Sequence, residues 1–397
     1  MARHTVIGLE DAQRRLLALA TPVPAETLSL ARATGRWAAA AVIAQRTQPA
    51  RDLSAMDGYA IRHADAPGPW RVIGQSAAGA AFSGPVGHGE AVRIFTGAAV
   101  PEGADTVVMQ EDMQVEGATV RLSDALDLRP GRHVRRAGED FRAGDLLIAP
   151  GDRLTPARLA LAAMAGHGEI SVRRPIRVAL ISTGDELVAP GLATREDQIP
   201  ASNAIMLQAM LAAFPCDVTD YGIVPDDLAT LTDAFRRSAD ADVILSTGGA
   251  SVGDHDHVKP ALEAAGATLD FWKIAMRPGK PLMAGTLGTA VVLGLPGNPV
   301  SAFVTAVLFA QPLIAALSGA TSPLPQAQSA RLATPLPAVA KRTDHVRARL
   351  EDGLAIPVGL NDSAALNALS QANALIVRPA GSPAADMGDT VKVILIA

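Results

Sequence analysis

From residue 175 onwards, short apolar runs typical of buried strands alternate with amphipathic stretches typical of helices. Strands are predicted at 177–183, 218–224, 242–247, 268–274 and 290–295, and helices at 203–213, 227–239 and from Pro299. Such alternation is typical of βαβ units, in which a mostly parallel sheet carries helices on both faces. We therefore expect a doubly wound α/β domain over 175–322.

The rest of the chain has a different texture, and a length of 397 residues predicts two to four domains. Helical spacing at 9–20, 25–44 and 156–165 indicates a helical and extended linking domain, formed by 1–45 and 138–174. Short β-prone runs between Gly and Pro turns, such as 91–95 and 106–110, predict an inserted β-rich domain at 46–137. The β runs 374–378 and 390–395 predict a small, β-barrel-like C-terminal domain over 323–397.

Composition and charge exclude several classes of protein. The formal net charge is −5, so neither nucleic acid nor an anionic membrane is expected as a partner. Cys216 is the only cysteine, which excludes an internal disulfide and a cysteine-based zinc site. The N-terminus lacks an apolar signal core, and the apolar stretch 299–317 is interrupted by Gln311 and Pro312. We predict that this stretch is a buried helix and that the protein is cytoplasmic.

Three of the predicted strands end in polar turns that contain glycine. The turns are Ser-Thr-Gly-Asp-Glu at 182–186, Ser-Thr-Gly-Gly-Ala-Ser-Val-Gly-Asp at 246–254 and Gly-Leu-Pro-Gly-Asn-Pro at 294–299. The carboxyl ends of parallel strands share one edge of a sheet, where ligands bind. Glycine lets backbone N–H groups approach an anion, and Asn298 followed by Pro299 can cap a helix whose start suits phosphate. A single such turn is better explained as a plain connection, but three together favour a ligand site.

The same edge is rich in carboxylates. They are Asp185, Glu186, Asp226, Asp227, Asp254 and Asp256. Mg²⁺ prefers oxygen ligands of this kind and often bridges them to phosphate oxygens. The alternative is a set of solvated caps and turn residues, which explains any one of them at least as well. His255 and His257 flank Asp256 and leave a transition-metal site as a weaker alternative.

A basic segment follows the predicted strand at 268–274. It runs Trp-Lys-Ile-Ala-Met-Arg-Pro-Gly-Lys-Pro over 272–281 and contains Lys273, Arg277 and Lys280. Lys and Arg beside backbone N–H groups suit a polyanionic ligand that contains phosphate. A solvated basic loop is the alternative, but the Pro-Gly and Lys-Pro pairs favour a shaped loop.

Motifs in the first half of the chain are also distinctive. Asp57 lies in Ser-Ala-Met-Asp-Gly-Tyr-Ala at 54–60, Thr96 in Arg-Ile-Phe-Thr-Gly-Ala at 93–98, and Asp140 ends Val-Arg-Arg-Ala-Gly-Glu-Asp at 134–140. Each of these is also compatible with a simple turn. In order along nearly the whole chain, however, these motifs and those above resemble the molybdopterin molybdenumtransferase family, which includes the MoeA proteins and the gephyrin E-domain. Pro-Glu-Gly-Ala-Asp at 101–105 belongs to the same resemblance.

The resemblance implies four structural domains and an elongated homodimer, with a cleft between the α/β domain of one subunit and the inserted domain of the other. It implies that adenylylated molybdopterin and molybdate are the substrates. The products are then molybdenum cofactor and AMP, and a divalent cation, usually Mg²⁺, takes part. Contacts with other proteins of molybdenum-cofactor biosynthesis are a further expectation. The dithiolene sulfurs that bind molybdenum belong to the substrate, so a single cysteine is no objection.

The resemblance also implies roles for individual residues. Four carboxylates would surround the metal and the phosphoanhydride: Asp185, Glu186, Asp226 and Asp256. All of them except Asp226 are expected to be metal ligands. Phosphate or molybdate charge would be bound by three cations: Lys273, Arg277 and Lys280. The nucleotide or pterin phosphate would be held by turn residues: Thr183, Gly184, Gly248, Gly249, Ser251, Pro296, Gly297, Asn298 and Pro299. The partner subunit would supply three catalytic residues: Asp57, Thr96 and Asp140.

This chain departs from the family pattern at two places. Arg277 stands where the family commonly has Lys, so a planar fork of donors replaces a point charge. Before Ser202-Asn203, Pro200-Ala201 replaces an aromatic-Asp pair, and a loop contact near the cleft is lost. Arg347 and Ser363 lie near positions that the family uses, and no role is assigned to them.

Two other functions stay open. Molybdopterin adenylyltransferases have a similar sheet, but they are single small domains with Thr-Gly-Gly-Thr-Gly where this chain has Thr-Gly-Gly-Ala-Ser-Val-Gly at 247–253. A non-catalytic pterin-binding scaffold is the second alternative, because the gephyrin E-domain also binds receptor peptides. The multi-domain frame and the retained acidic and basic residues favour the molybdenum-inserting enzyme over both.

Overall fold

The structure, a computed structural model, describes residues 6–123, 128–248, 257–359 and 364–396, with the backbone alone at 271 and 272. Its N-terminal part contains α1 (Leu9–Ala18), β1 (Ala25–Ser29) and β2 (Val42–Ile43), with a 3₁₀ turn at Leu30–Arg32. The helical patch predicted at 25–44 is therefore wrong. β1 pairs along its whole length with Glu169–Arg173 in an antiparallel ladder. This long-range pairing overrides the local helical preference.

Eight strands follow between residues 53 and 135. They are β3 (Leu53–Ser54), β4 (Gly58–Ile61), β5 (Trp70–Ser76), β6 (Glu90–Ile94), β7 (Thr106–Met109), β8 (Met113–Glu116), β9 (Thr119–Leu122) and β10 (Val134–Arg135), with 3₁₀ turns at His63–Asp65 and Gln110–Asp112. Six of them form one sheet in the order β7-β4-β6-β5-β9-β8. Ile61, Trp70 and Val108 are buried at its core. The predicted β-rich character of this segment is confirmed.

The chain then returns to its N-terminal part. β11 (Leu146–Ile148) pairs antiparallel with β2, α2 (Pro156–Met164) follows, and β12 (Glu169–Arg173) is the partner of β1. Val42 and Ile148 share the apolar core that joins the two halves. The β-rich segment thus leaves this body after β2 and rejoins it at β11, while the limits predicted for the domains stay a prediction.

The α/β body begins at residue 176. Its elements are β13 (Ile176–Thr183), β14 (Leu187–Val188), β15 (Ile199–Pro200), α3 (Asn203–Leu211), β16 (Cys216–Val224), α4 (Leu228–Arg237), β17 (Val243–Thr247), α5 (Val258–Ala265), β18 (Thr268–Lys273), β19 (Met276–Arg277), β20 (Pro281–Leu287), β21 (Ala290–Leu295), α6 (Pro299–Thr305) and α7 (Gln311–Leu317). The main sheet has the order β16-β13-β17-β21-β20-β18. The first three pairings are parallel and the last two antiparallel. The mostly parallel, doubly wound sheet is confirmed.

Helices cover both faces of this sheet. On one face, Leu207 of α3 and Leu313 of α7 belong to a large apolar core. On the other face, Phe235 of α4 and Leu262 of α5 form a second core. α4 begins where it does because Asp227 caps it, with Oδ1 accepting hydrogen bonds from the backbone N–H groups of residues 229 and 230 at 3.0 Å each.

The apolar stretch at the end of this body forms one continuous helix, Pro299–Leu317, with a π-helical turn at Ala306–Ala310 between α6 and α7. It is long and apolar enough to cross a membrane, but 83% of its most apolar window is buried inside the protein. The prediction of a buried helix is confirmed.

The C-terminal part is a small barrel. Its elements are β22 (Ala327–Leu332), β23 (Thr343–Glu351), β24 (Leu354–Pro357), α8 (Leu366–Ser370), β25 (Ala374–Arg378) and β26 (Thr390–Leu395). The strand order is β23-β24-β22-β26-β25, and a β23–β25 pairing closes the sheet on itself. β19 of the α/β body adds to this sheet by pairing in parallel with the start of β23. The predicted barrel-like C-terminal domain is confirmed, and one of its strands borders the basic segment.

Candidate active site

The three strands that lead into the glycine-containing turns end at one edge of the main sheet. β13, β17 and β21 are parallel neighbours, and in their register Ser182 pairs with Thr247, which pairs with Leu295. The turns that follow these residues therefore leave the sheet side by side, as the sequence predicts.

A cleft of about 910 Å³ opens between the turns. Nine of the residues predicted to bind substrate or metal line it: Thr183, Gly184, Glu186, Asp226, Gly248, Pro296, Gly297, Asn298 and Pro299. Five candidates of the second turn and its continuation lie outside the described residues: Gly249, Ser251, Asp254, His255 and Asp256. The described ends of all three turns thus border one space.

Gly248 shows why the second turn needs glycine. Its φ is +96°, and a Cβ at this position would lie 1.9 Å from the carbonyl oxygen of Thr183 in the first turn. A Cβ on Gly297 of the third turn would lie 3.6 Å from the Cα of Gly248. The first distance is a steric clash, so the close approach of the first two turns requires glycine at 248, whereas the second is an ordinary van der Waals contact.

Asn298 and Pro299 begin the helix at the third turn. Asn298 is the residue before α6 and Pro299 is its first residue, as predicted, but the Asn298 side chain makes no capping hydrogen bond. Asn298 instead lines the cleft. The predicted cap is thus correct in position and wrong in its side-chain bond.

The cleft also contains residues that sequence reasoning missed. Asn203, the first residue of α3, donates from Nδ2 to the carbonyl oxygen of Gly297 at 2.7 Å and ties α3 to the third turn. Ala364 and Leu366 reach the cleft from the C-terminal part. Pro200 and Ala201, where the sequence departs from the resemblance, also line the cleft and make this part of its wall apolar. Asn203 lies directly after the Pro200-Ala201-Ser202 segment that the sequence comparison with the family singled out. Ala364 and Leu366, by contrast, carry no sequence pattern that indicates a binding site.

Three carboxylates lie close together at the edge of the cleft. The backbone N–H of Asp226 donates to Oδ1 of Asp185 at 3.2 Å. Burial raises the pKa of Asp226, and the negative charges of Asp185 and Glu186 raise it further, while the charge of His257 opposes them. Asp227, the next residue, caps the N-terminus of α4. For this carboxylate the alternative given above, a helix cap with no part in metal binding, is the better explanation.

These carboxylates fit Mg²⁺ in kind, because hard oxygen donors are what this ion prefers. Within the described ranges, no group of three or more His, Cys, Asp or Glu side chains is arranged to hold a metal ion by itself. Asp256 would be a further donor, and it falls outside those ranges. The histidine-based alternative finds no ligand group in the described part of the chain.

A second cavity, of about 320 Å³, adjoins the cleft and shares Pro281 and Asn298 with it. We call it the cationic cavity after the polar and charged residues that line it: Arg277, Lys280, Ser301, Arg342, Asp344, His345 and Arg347. Arg277 and Lys280 therefore lie beside the cleft, and their role in binding an anion stays a prediction. Lys273 is not among its described lining residues; it ends β18, where its carbonyl oxygen accepts a hydrogen bond from the N–H of Ile7 at 3.1 Å.

The charge of this cavity is positive. His345 is only 4% exposed, and burial lowers its pKa to about 4, so it is neutral at pH 7. Asp344 is the one carboxylate among the described lining residues, and it forms an ion pair with Arg277. Four Arg and Lys side chains against one carboxylate suit a bound anion.

The catalytic candidates of the inserted part lie elsewhere in the chain. Oδ1 of Asp57 accepts hydrogen bonds from the backbone N–H of Thr96 at 2.7 Å and from its Oγ1 at 2.8 Å. These bonds lower the pKa of Asp57 and keep it ionised. Asp140 is exposed. The described lining of the cleft and of the cationic cavity includes none of the three.

Comparison with known proteins decides the family. Models of the MoeA N-terminal region (domain I and II), of a probable molybdopterin binding domain and of the MoeA C-terminal region (domain IV) match residues 7–166, 179–316 and 329–396. A molybdopterin molybdenumtransferase from Staphylococcus aureus is 31% identical over 409 residues, covering 99% of this chain and 96% of that protein. The chain belongs to the molybdopterin molybdenumtransferase family.

Other members of this family agree in sequence and in fold. A molybdopterin molybdenumtransferase from Haemophilus influenzae is 40% identical over 319 residues, which cover 79% of this chain and 78% of that protein. A crystal structure of the molybdopterin biosynthesis MoeA protein from Pyrococcus horikoshii OT3 matches 99% of this chain and 100% of its own, with a TM-score of 0.85 at 27% identity. The resemblance drawn from the motifs is confirmed, and with it the multi-domain fold.

Proposed function

We propose that this chain inserts molybdenum from molybdate into adenylylated molybdopterin, releases AMP and requires Mg²⁺. The observation that supports this most directly is that two cavities of different chemical character lie side by side and share lining residues. A cleft bordered by backbone turns and carboxylates adjoins a small cationic cavity, with Pro281 and Asn298 in the walls of both. The first space suits a phosphorylated pterin with its metal ion, and the second suits a free oxyanion. A reaction that joins two such substrates needs them held side by side.

The three turns would hold the phosphate groups of the pterin substrate. Thr183, Gly248 and Gly297 lie around one space at the carboxyl ends of parallel strands, the usual place for ligands of such sheets. The helix that starts at Pro299 presents its first turn to the same space, and a helix start favours an anion. Gly249 and Ser251 would extend this binding surface, as the family motif implies.

Asp185, Glu186 and, as the family motif implies, Asp256 would hold Mg²⁺, and Asp226 lies beside the first two. The ion supplies positive charge against the phosphoanhydride oxygens when it is bound. Asp226 supports this placement, because burial and two neighbouring carboxylates raise its pKa and a divalent cation would relieve that repulsion. No activated Ser or Cys is required, since phosphoanhydride cleavage depends on positioning and charge neutralisation.

Molybdate would occupy the cationic cavity. Arg277 and Lys280 come from the basic segment, and Arg342 and Arg347 come from the barrel. A cavity of about 320 Å³ is ample for a small tetrahedral oxyanion. Glu186 and Asp226 line the other space, and Asp344, the one carboxylate among the described residues of this cavity, is paired with Arg277. The role of Lys273 in binding phosphate stays a prediction of the family resemblance.

We also propose a cytoplasmic homodimer, in which Asp57, Thr96 and Asp140 of one subunit complete the cleft of the other. Asp57 and Thr96 already form a hydrogen-bonded pair in which the carboxyl group of Asp57 stays ionised, yet they are not part of the described lining of either cavity in their own chain. In a two-fold symmetric dimer both subunits contribute the same surface to the interface, so both clefts would be completed in the same way.

The experiment that tests this function measures AMP release from adenylylated molybdopterin, with and without molybdate and Mg²⁺. We expect release that depends on both, together with formation of metal-loaded pterin. Addition of a chelator in excess of Mg²⁺ is the control for the metal. Absence of release from a folded protein would support the scaffold alternative, and consumption of ATP with adenylylation of molybdopterin would support the adenylyltransferase alternative.

A further inference from the structure

Asp344 and Arg277 form an ion pair across the junction between the barrel and the α/β body. The two residues face each other in the parallel pairing of β19 with β23. The Asp344 side chain is 11% exposed, whereas that of Arg277 is 49% exposed. The pair therefore has a buried carboxylate on the barrel side and an accessible guanidinium on the side of the cationic cavity, which both residues line.

The backbone around Arg277 is held independently of this ion pair. The N–H of Thr343 donates to the carbonyl oxygen of Ala275 at 2.9 Å. On the other side, the N–H of Ala275 donates to the carbonyl oxygen of Ile7 at 2.8 Å. Because these bonds fix the main chain, the ion pair is left to fix the orientation of the guanidinium itself.

A guanidinium can bind two anions at once, because its five N–H donors form a rigid planar fork. In this chain one terminal nitrogen, Nη2, donates to Asp344. The other donors of the fork are then held in a defined plane at the cavity wall. A lysine at this position would have a single ammonium group on a flexible stem, without such a plane.

We propose that Asp344 is a positioning residue for oxyanion binding, holding the Arg277 guanidinium so that its remaining N–H groups face the molybdate. This inference rests on the proposed function, and it deepens it by giving a barrel carboxylate the task of orienting a cation of the α/β body. It also explains why Arg and not Lys stands at position 277. Asp344 touches no reacting atom and acts only through Arg277.

The test is Asp344→Asn in the full-length protein, with molybdate binding measured by titration calorimetry and AMP release measured against molybdate concentration. We expect Kd and KM for molybdate to rise about tenfold while kcat changes less than about twofold, because a free guanidinium must be ordered when the anion binds. In an Arg277→Lys background the same change should have little further effect, since the fork that Asp344 orients is gone.

The matched control is Asp242→Asn. Asp242 accepts hydrogen bonds from Arg174 at 2.6 and 2.7 Å, so it is a similarly buried ion pair. It precedes β17 and lies at the opposite edge of the sheet from the cleft. We expect this variant to lose thermal stability and to keep the molybdate KM of the wild type.

The outcomes separate this inference from the proposed function. If the wild type binds no molybdate and releases no AMP in its presence, the proposed function fails and the role of Asp344 fails with it. If the wild type binds molybdate and folded Asp344→Asn binds it equally well, only the positioning role is overturned. Should Asp344→Asn not fold, Arg277→Lys decides: the proposal requires a comparable rise in KM, and an unchanged KM overturns it.

Discussion

At Gly248 the second turn lies against the backbone of the first turn. A Cβ there would lie 1.9 Å from the Thr183 carbonyl oxygen, in addition to the cost of a φ of +96°. Gly266, the residue that caps the C-terminus of α5, has a similar φ of +101°, but no atom lies within 4 Å of a Cβ built there. The two glycines therefore separate backbone strain, which both share, from a steric clash that only Gly248 would suffer.

We expect Gly248→Ala to lower the free energy of unfolding by about 3 kcal/mol, because strain and clash add. Gly266→Ala is the control and should cost about 1 kcal/mol from strain alone. Urea unfolding followed by circular dichroism compares the two variants. Equal losses would show that the turns at the cleft floor can separate without cost.

Glu186 faces the cleft beside Asp226, and its charge is the feature that the proposed metal site requires. Glu186→Gln is expected to reduce molybdate-dependent turnover about 100-fold or more with the fold intact, because a neutral amide is a poor ligand for Mg²⁺. Glu196→Gln, at an exposed position ten residues along the chain, is the matched control. Full turnover by Glu186→Gln would remove this residue from the proposed catalytic set.

At the scale of elements, β23 belongs to two structures at once. It closes the barrel by pairing with β25, and its first residues pair with β19 beside the basic segment. Its consecutive residues Asp344 and His345 are both buried, and His345 is only 4% exposed. A buried imidazole at this junction makes the stability of the element depend on pH.

Burial lowers the pKa of His345 to about 4 in the folded protein, from about 6.5 in the unfolded chain. Between these values the unfolded state binds the proton first, so stability is complete above about pH 6.5 and declines as the pH falls towards 4. The loss should reach about 3 kcal/mol at the lower pH. The midpoints of urea unfolding at pH 7 and pH 4.5 measure this loss of stability. His345→Gln should reduce the difference between the two midpoints. If the difference is unchanged in this variant, His345 is not the cause of the pH dependence.

At the scale of the whole molecule, the site is assembled from distant parts of one chain and, in the proposal, from two chains. The α/β body supplies the turns and carboxylates, and the barrel supplies Arg342, Arg347 and Leu366. The inserted part supplies no described lining residue in its own subunit, although Asp57 and Thr96 carry family motifs there. A dimer in which these groups meet is the arrangement that the proposal requires.

Hybrid dimers test this arrangement directly. Asp57→Asn and Glu186→Gln homodimers should each be inactive, but a heterodimer of the two should contain one intact site and show about half of wild-type turnover per dimer. Co-expression with two affinity tags isolates the heterodimer, and AMP release is the readout. If both residues serve the same subunit, the heterodimer has two defective sites and stays inactive.

The cleft itself could be predicted from the sequence because its determinants are local. Apolar runs of strand length and the turns that follow them, with glycine at 184, 248 and 297, indicate a parallel sheet and the edge at which its ligands bind. The buried helix at 299–317 was predictable for the same reason, since an apolar stretch interrupted by Gln311 and Pro312 fits a protein interior better than a membrane.

Only the tertiary structure decided the features that depend on pairing between distant segments. Residues 25–44 have helical spacing, yet β1 forms because Glu169–Arg173 offers it a strand partner. The Arg277–Asp344 pair and the lining by Ala364 exist because the closed barrel packs beside the basic segment. Periodicity and turn chemistry act over a few residues, whereas the energy of a ladder or a buried ion pair is gained only once both partners are in place. For that reason the sequence by itself determined which chemical groups the chain carries, and the tertiary structure decided which of these side chains lie together in one site.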